Sequence, residues 1–161
     1  MRITTQIYLI DHGKWLMMYR NRKKNDVNEG KWIGIGGKLE PGETEEECAV
    51  RETFEETGLT AECLDFRGIV YFIYEDHEPE KIYVYTCSRF HGEMHESSEG
   101  TLAWIDREDI TGLDLWEGDK VFLKIMMETS EKFVLELHYD PEGRLKSAVR
   151  LESQNESAKN Q

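Results

Sequence analysis

The sequence is poor in basic residues, with 20 lysines and arginines against 33 aspartates and glutamates in 161 residues, which gives a formal net charge of −13. A protein that binds DNA or RNA normally has a basic face, because neutralising phosphates supplies much of the affinity. We therefore expect no nucleic-acid partner. A small phosphorylated substrate is compatible with this charge if divalent cations stand between carboxylates and phosphates.

Long apolar runs and paired cysteines are also missing. No stretch approaches the roughly 20 apolar residues that a membrane-spanning helix needs, so we expect no membrane partner. Residues 1–5 lack the apolar core and small-residue cleavage site of a signal peptide. Cys48, Cys63 and Cys87 show no CxxC or other metal-ligand spacing, which favours reduced thiols in a cytoplasmic protein.

Length and patterning predict a single domain over residues 1–152, followed by a polar, disordered tail over residues 153–161. Mixed strands with two helices imply an α/β or α+β sandwich around one sheet. Strands are expected over residues 4–11, 14–20, 31–39, 66–74, 81–90 and 101–105, helices over 44–57 and 119–128, and a closing hairpin over 133–139 and 145–151.

The first of these helices has clear signals at both ends. Thr44 and Glu47 form a capping-box pattern at its start, and Gly58 is placed to end it. The extended segment before it, residues 31–39, is rich in glycine, which predicts close approach of the backbone to another group.

Three glutamates of this helix, Glu52, Glu55 and Glu56, stand at positions i, i+3 and i+4. Their side chains therefore fall within an arc of about 100° on one face. Such neighbours repel each other by a few tenths of a kcal/mol per pair. The ordinary interpretation is a solvated acidic surface. The alternative is a site for Mg²⁺ or Mn²⁺, which prefer carboxylate oxygens.

The surrounding residues decide between these interpretations. Gly37, Glu43 and residues 51–59 (Arg-Glu-Thr-Phe-Glu-Glu-Thr-Gly-Leu) resemble the Nudix box, G-x5-E-x7-R-E-U-x-E-E-x-G-U, where U is bulky and apolar. All seven fixed polar or glycine positions match. Thr53 departs from the pattern, because a bulky aliphatic residue is usual at that position.

The resemblance implies an α/β fold, the Nudix-type α/β/α sandwich with a mixed sheet, extended here by a C-terminal β-hairpin. It also implies a Mg²⁺ or Mn²⁺ cofactor held by Glu52, Glu55 and Glu56, with the carbonyl of Gly36 as a further ligand. Glu99, which precedes the strand expected over residues 101–105, matches a loop that often adds a metal ligand or base in similar proteins. Glu96 is the competing candidate in that loop, and a solvated loop glutamate is the alternative to both.

By the same resemblance, Arg51 and Glu43 orient the metal-binding carboxylates through charge-assisted hydrogen bonds. The alternative for Arg51 is a surface pair with Glu47 or Glu55 on the same helix. The general base that accepts a proton from water is Glu56, Glu52 or Glu99, and the sequence leaves that choice open.

Beyond the box, the chain is similar to MutT-type 8-oxo-dGTP diphosphatases in residues 30–38, 99–104 and 116–119. This similarity implies that Trp116 stacks on a purine and that Asp119 hydrogen-bonds to the base edge. The alternatives are a core aromatic residue and the N-cap of the second helix. Ile33 departs from related enzymes with asparagine there, since isoleucine cannot read a purine edge.

Two basic residues are candidates for binding substrate phosphates. Lys38 lies beside the box glycines, and Arg20 begins the basic cluster of residues 20–24, for which a solvated turn is the alternative interpretation.

The predicted function is a Mg²⁺-dependent hydrolase of a small nucleotide, turning 8-oxo-dGTP or a related nucleoside triphosphate into the monophosphate and pyrophosphate. One alternative is a Nudix hydrolase of ADP-ribose, a dinucleoside polyphosphate or another nucleoside diphosphate derivative. A second alternative is a non-catalytic nucleotide-binding module.

Overall fold

A computed structural model describes residues 1–151. The strands are β1 (Arg2–Asp11), β2 (Lys14–Tyr19), β3 (Trp32–Ile33), β4 (Ile35–Lys38), β5 (Leu59–Tyr74), β6 (Glu80–Gly92), β7 (Thr101–Asp106), β8 (Phe133–Tyr139) and β9 (Leu145–Arg150). The helices are α1 (Glu45–Thr57) and α2 (Glu117–Glu128), and a 3-10 helix spans Arg107–Gly112.

The strands form one mixed sheet in the order β3-β2-β1-β6-β5-β8-β9, with β4 paired to β1 and β7 paired to β2. The β1–β6 and β5–β8 pairs are parallel, and the other pairs are antiparallel. Strands β8 and β9 make the C-terminal hairpin that the sequence predicts. The expected α/β architecture with a mixed sheet is confirmed.

Helix α1 has the predicted boundaries and caps. The Thr44 hydroxyl accepts a hydrogen bond from the backbone N–H of Glu47, the Glu47 side chain accepts one from the backbone N–H of Thr44, and Gly58 ends the helix in the left-handed conformation. Thr53, the departure from the box pattern, is fully buried. Its hydroxyl donates to the carbonyl of Ala49 at 2.7 Å, so that its one polar group is satisfied inside the core.

The two helices cover opposite faces of the sheet, as alternation along the strands requires. On one face, Ile7 and Leu9 of β1 pack in a core with Ala49 of α1. On the other face, Tyr8 packs in a core with Phe122 of α2. Neighbouring residues of β1 thus point into two different cores, which gives the layered sandwich its two apolar interfaces.

Three features depart from the sequence-based expectation. Strand β5 begins at Leu59, directly after the helix cap, instead of at residue 66, and register shifts in its pairing with β6 bend this early part. The 3-10 helix was not predicted. Helix α2 begins two residues earlier than expected, so that Trp116 is its N-cap and Asp119 lies inside its first turn.

Residues 153–161, predicted to be a disordered tail, lie outside the described residues. Within residues 1–151, neither helix is long and apolar enough to cross a bilayer. The three cysteines are free, with Cys48 and Cys87 buried and Cys63 exposed.

Candidate active site

The box glutamates of α1 lie against the glycines of β4. Glu56 is buried, and its Oε2 accepts a hydrogen bond from the backbone N–H of Gly36 at 3.1 Å. A Cβ atom built on Gly37 would lie 2.5 Å from Cδ of Glu52, closer than non-bonded carbon atoms approach. The absence of a side chain at Gly37 therefore lets the Glu52 carboxyl reach the strand backbone.

A glutamate of the loop before β7 completes this cluster. The side chains of Glu56 and Glu99 are hydrogen-bonded to each other. Burial raises the pKa of Glu56 well above its usual range, and the hydrogen bond and negative charge of Glu99 raise it further. The pKa of Glu99 is lowered, mainly by the same hydrogen bond. Two carboxyl groups this close, one of them buried, cannot both carry a full negative charge cheaply, unless a proton or a cation lies between them.

Glu96, the competing candidate in that loop, lies apart from the cluster. Its side chain is 89% exposed, and its one ion pair among residues 1–151 is with Arg22, at 4.0 Å. The structure therefore brings Glu99, and not Glu96, to the box carboxylates.

Arg51 connects the box carboxylates to one another. Its Nε and one terminal nitrogen donate to both oxygens of Glu43, at 2.7 and 3.0 Å. Its other terminal nitrogen donates to Glu52 at 2.8 Å and to Glu55 at 3.2 Å. Hydrogen bonds from Arg51 lower the pKa of Glu43 to about 2. The contact to Glu55 fits the alternative of a surface pair. The bidentate contact to Glu43 fits the predicted role of orienting the carboxylates.

The donor set has the chemistry that Mg²⁺ and Mn²⁺ prefer, since it consists of carboxylate and carbonyl oxygens. Burial raises the pKa of Glu52, and Glu55 and Glu99 add negative charge near it. The negative charges of these glutamates repel one another, and a bound cation would offset that repulsion. Within residues 1–151, however, no three acidic, histidine or cysteine side chains already form a metal cage. Glu55 is more than half exposed and faces Arg51.

A cleft of about 830 Å³ opens beside this cluster, within the size range of small-molecule sites. Gly36, Gly37, Glu52 and Glu99 line what we call its acidic end. The face of the sheet contributes Thr4, Gln6 and Glu80, which we call the polar floor, and Asn28 and Ile33 also line the cleft.

The predicted phosphate-binding residues, Lys38 and Arg20, both line the cleft. Lys38 is exposed. Arg20 is buried, and its guanidinium is already paired with Asp26 at 2.7 Å and with Glu99 at 3.5 Å. Lys23, from the same basic cluster, lines the cleft and lies 3.9 Å from Glu99. The two lysines are therefore more available to a phosphate than Arg20.

Trp116 and Asp119, the predicted base-binding residues, are both buried. Trp116 packs edge-on against Phe72 and Tyr139 and does not line the cleft. Its indole nitrogen donates to Oδ1 of Asn28 at 2.8 Å. The structure thus places Trp116 in the core, in accord with the alternative interpretation of this residue.

Asp119 occupies an unusual environment for a carboxyl group. Burial raises its pKa to about 8 against the opposing positive charge of Lys31, and the negative charge of Glu80 adds a smaller increase. Within residues 1–151 its side chain makes no hydrogen bond, and it is not an N-cap. Asp119 is therefore predominantly neutral at pH 7 and can donate a hydrogen bond.

Gln6, Asn28 and Glu80 are among the cleft residues that sequence reasoning missed. One signal was available for Gln6, because this polar residue directly precedes the buried apolar run of residues 7–9 in β1. Asn28 and Glu80 lie outside the predicted strands and helices, and nothing in their local pattern links them to β1.

Comparisons with known proteins agree with this geometry. The family profile described as the NUDIX domain matches residues 2–125. A zebrafish (Danio rerio) protein named oxidized purine nucleoside triphosphate hydrolase is 30% identical over 128 residues, which cover 79% of this chain and 80% of that one. A protein of Bacillus subtilis (strain 168), named uncharacterized Nudix hydrolase YvcI, is 30% identical over 159 residues, 96% of each chain.

Among solved structures, the MutT protein of Bacillus halodurans aligns with a TM-score of 0.84 at 27% identity, over 93% of this chain and 97% of that one. The similarity thus extends over most of both chains.

Proposed function

The chain belongs to the Nudix family and is a Nudix hydrolase, and from this premise we propose that it is a Mg²⁺-dependent nucleoside triphosphate pyrophosphohydrolase. Its proposed substrate is 8-oxo-dGTP or a related nucleoside triphosphate, which it converts into the monophosphate and pyrophosphate. Two relatives named oxidized purine nucleoside triphosphate hydrolase, from zebrafish and mouse, support this choice. The proposed role is cytoplasmic sanitation of the nucleotide pool, which protects DNA from damaged precursors.

The observation that carries the proposal is the convergence of Glu52, Glu56 and Glu99 at the acidic end of the cleft. Carboxyl groups this close together are a costly arrangement inside a protein, because burial disfavours their charged forms. Divalent cations would compensate their negative charge. Glu52, Glu55 and Glu56, the carbonyl of Gly36 and Glu99 are the proposed ligands of Mg²⁺ or Mn²⁺.

Bound Mg²⁺ or Mn²⁺ would shield the phosphate charge, polarise the phosphorus and lower the pKa of a bound water. The protein's own part is to place and deprotonate the water that attacks the phosphorus. Glu52, Glu56 or Glu99 accepts its proton, while Arg51 and Glu43 hold the carboxylates in place. Each bond cleaved consumes one water molecule.

The remaining cleft residues are proposed to bind the nucleotide. Lys38 and Lys23 are placed to neutralise phosphates, and Arg20 contributes mainly through its pairing with Glu99. Asp119, as a neutral carboxyl, is proposed to donate to the base. Trp116 supports the base-binding region indirectly through its hydrogen bond to Asn28.

A second candidate substrate class is ADP-ribose or a dinucleoside polyphosphate. Ile33 favours it, because this side chain lines the cleft where an asparagine would read a purine edge. A non-catalytic binding module is disfavoured, since every acidic residue of the box is present.

A nucleotide screen with and without Mg²⁺ tests the proposal, with monophosphate and pyrophosphate products quantified. We expect metal-dependent pyrophosphate release, with a higher kcat/KM for 8-oxo-dGTP than for dGTP. Preference for ADP-ribose over every triphosphate would establish the second candidate. Tight nucleotide binding without product release under Mg²⁺ or Mn²⁺ would show a binding module.

A further inference from the structure

The polar floor lies on a face of the sheet that is otherwise a hydrophobic core. Alternate residues of β1 share a face, so Thr4 and Gln6 point to the same side as Tyr8, which packs in the core beneath α2. In the parallel ladder, Ile82 of β6 is also part of that core. Polar side chains in such a row cost free energy unless they are hydrogen-bonded. Here these residues line the cleft, where a ligand can supply the missing hydrogen bonds.

Glu80 belongs to the same floor. It pairs with Arg2 in the ladder between β1 and β6, and its Oε2 accepts a hydrogen bond from the hydroxyl of Thr4 at 2.9 Å. This bond fixes the carboxylate beside the cleft and leaves Oε1 available. Within residues 1–151, Oε1 of Glu80 has no hydrogen-bond donor.

Only one of the two polar atoms of the Gln6 amide is hydrogen-bonded among residues 1–151. Its Nε2 donates to the hydroxyl of Tyr8 at 2.5 Å, and in the described part of the chain its Oε1 has no partner. Gly34 preserves the space for this arrangement, since a Cβ at that position would lie 2.9 Å from Cγ of Gln6. The floor thus offers two acceptors, Oε1 of Gln6 and Oε1 of Glu80.

Asn28 supplies the complementary group. An indole N–H can only donate, so the hydrogen bond from Trp116 fixes Oδ1 of Asn28 as the acceptor and turns Nδ2 away from Trp116. Nδ2 itself makes no hydrogen bond among residues 1–151, and Asn28 lines the cleft. Nδ2 of Asn28 is therefore a free donor in the cleft, alongside the two free acceptors of the polar floor.

A guanine-type base is the purine whose edge matches this set, because its ring N–H and exocyclic amine donate while its carbonyl accepts. An adenine edge has one donor, its amine, and one acceptor, its ring nitrogen. The ring nitrogen would face one of the two floor acceptors, and two acceptors cannot form a hydrogen bond. We infer that Gln6, Asn28 and Glu80 are specificity-determining residues that read the edge of a guanine-type base, with Glu80 accepting from the exocyclic amine. This inference rests on the proposed function, since it assumes that the nucleotide's base occupies the polar floor.

Three triphosphates that differ at the base edge test the inference in the Mg²⁺-loaded protein: dGTP, dITP, which lacks the exocyclic amine, and dATP. The wild type should show the highest kcat/KM for dGTP, about 10- to 100-fold above dITP, as expected for loss of a hydrogen bond to a charged group. E80Q should reduce the ratio of dGTP to dITP to within about threefold by lowering the dGTP value. Q6L should selectively lower dGTP relative to dATP.

E78Q is the matched control, because Glu78 is exposed on the turn before β6 and does not line the cleft. It should retain the wild-type ratios. A merely structural role of Glu80 would lower kcat/KM equally for all three nucleotides, and that result, or unchanged ratios in E80Q and Q6L, would overturn the inference while leaving the proposed function intact.

Binding of the monophosphates dGMP, dIMP and dAMP, measured by calorimetry, tests base reading without turnover. Tighter binding of dGMP that is lost in E80Q would support the inference even if no triphosphate were hydrolysed, in which case the proposed function alone would fail. Equal binding of the three monophosphates, or preference for dAMP, would overturn the inference.

Discussion

The acidic end of the cleft and its polar floor are built in opposite ways. The acidic end takes most of its groups from one stretch of chain, because α1 and the strand before it carry Gly37, Arg51, Glu52 and Glu56. The polar floor and Asn28 come from β1, a loop and β6, separated by up to 76 residues between Thr4 and Glu80. Helical spacing positions the first set, whereas only strand pairing and loop packing position the second.

This difference indicates that the two regions have separate roles in catalysis and in base recognition. The acidic end supplies chemistry that is common to any phosphoanhydride, and its groups are tied to the regular geometry of a helix. The polar floor distinguishes one base from another, and its groups can change without altering the helix. The two regions should therefore respond separately to mutation.

The largest expected effect is that of E56Q. Glutamine can still accept the hydrogen bond from Gly36, but it can neither carry the charge that a cation needs nor accept a proton. We expect kcat to fall by about 10²- to 10⁴-fold, for dGTP and dITP alike, with an unchanged melting temperature. Turnover near the wild-type level would exclude a metal or base role for Glu56, and a changed dGTP to dITP ratio would break the separation of the two regions.

The control for this variant is E46Q, which alters an exposed glutamate on the same helix. It should show wild-type turnover and wild-type base preference.

An intermediate effect is expected from R51K, because lysine cannot reproduce the two-pronged contact with Glu43 while also reaching Glu52. We expect Mn²⁺ affinity, measured by calorimetry without nucleotide, to weaken by about 10- to 100-fold. R89K, at an exposed arginine of β6, should retain the wild-type affinity. Wild-type Mn²⁺ affinity in R51K would mean that Arg51 is only a surface partner of Glu55.

The smallest effect on catalytic chemistry, but a distinct effect on stability, is expected from D119N. The folded-state pKa of Asp119 is about 8, above the ordinary 3.8, so the folded protein holds a proton that the unfolded chain releases. Stability from this group is fully present below pH 3.8 and is lost as the pH rises towards 8. Burial is the main cause, with Glu80 adding to the shift and Lys31 opposing it.

D119N lacks this titration, so its free energy of unfolding should rise relative to wild type between pH 5 and pH 8. The gain is at most about 1.4 kcal/mol per pH unit, measured by urea unfolding at each pH. D76N, at an exposed turn position, should follow the wild type. A constant difference between D119N and wild type across this range would show that Asp119 is ionised in the folded protein.

Several local elements could be predicted because they depend on neighbouring residues. The capping box of Thr44 and Glu47 and the stop at Gly58 were expected and are present, since caps are satisfied within one turn of helix. The start of β5 at Leu59 was missed. Its first seven residues are bent by register shifts against β6, and this pairing with a distant strand holds them extended.

The sequence by itself determined the family, the mixed α/β sandwich and the acidic end, because a contiguous motif on a helix converts spacing directly into geometry. The tertiary structure decided which distant groups join that motif. It brought Glu99 to Glu56 and left Glu96 in solvent, placed Trp116 in the core, and aligned Gln6 with the cleft. The physical reason is that contacts between strands and loops depend on how the sheet closes, which no local pattern encodes.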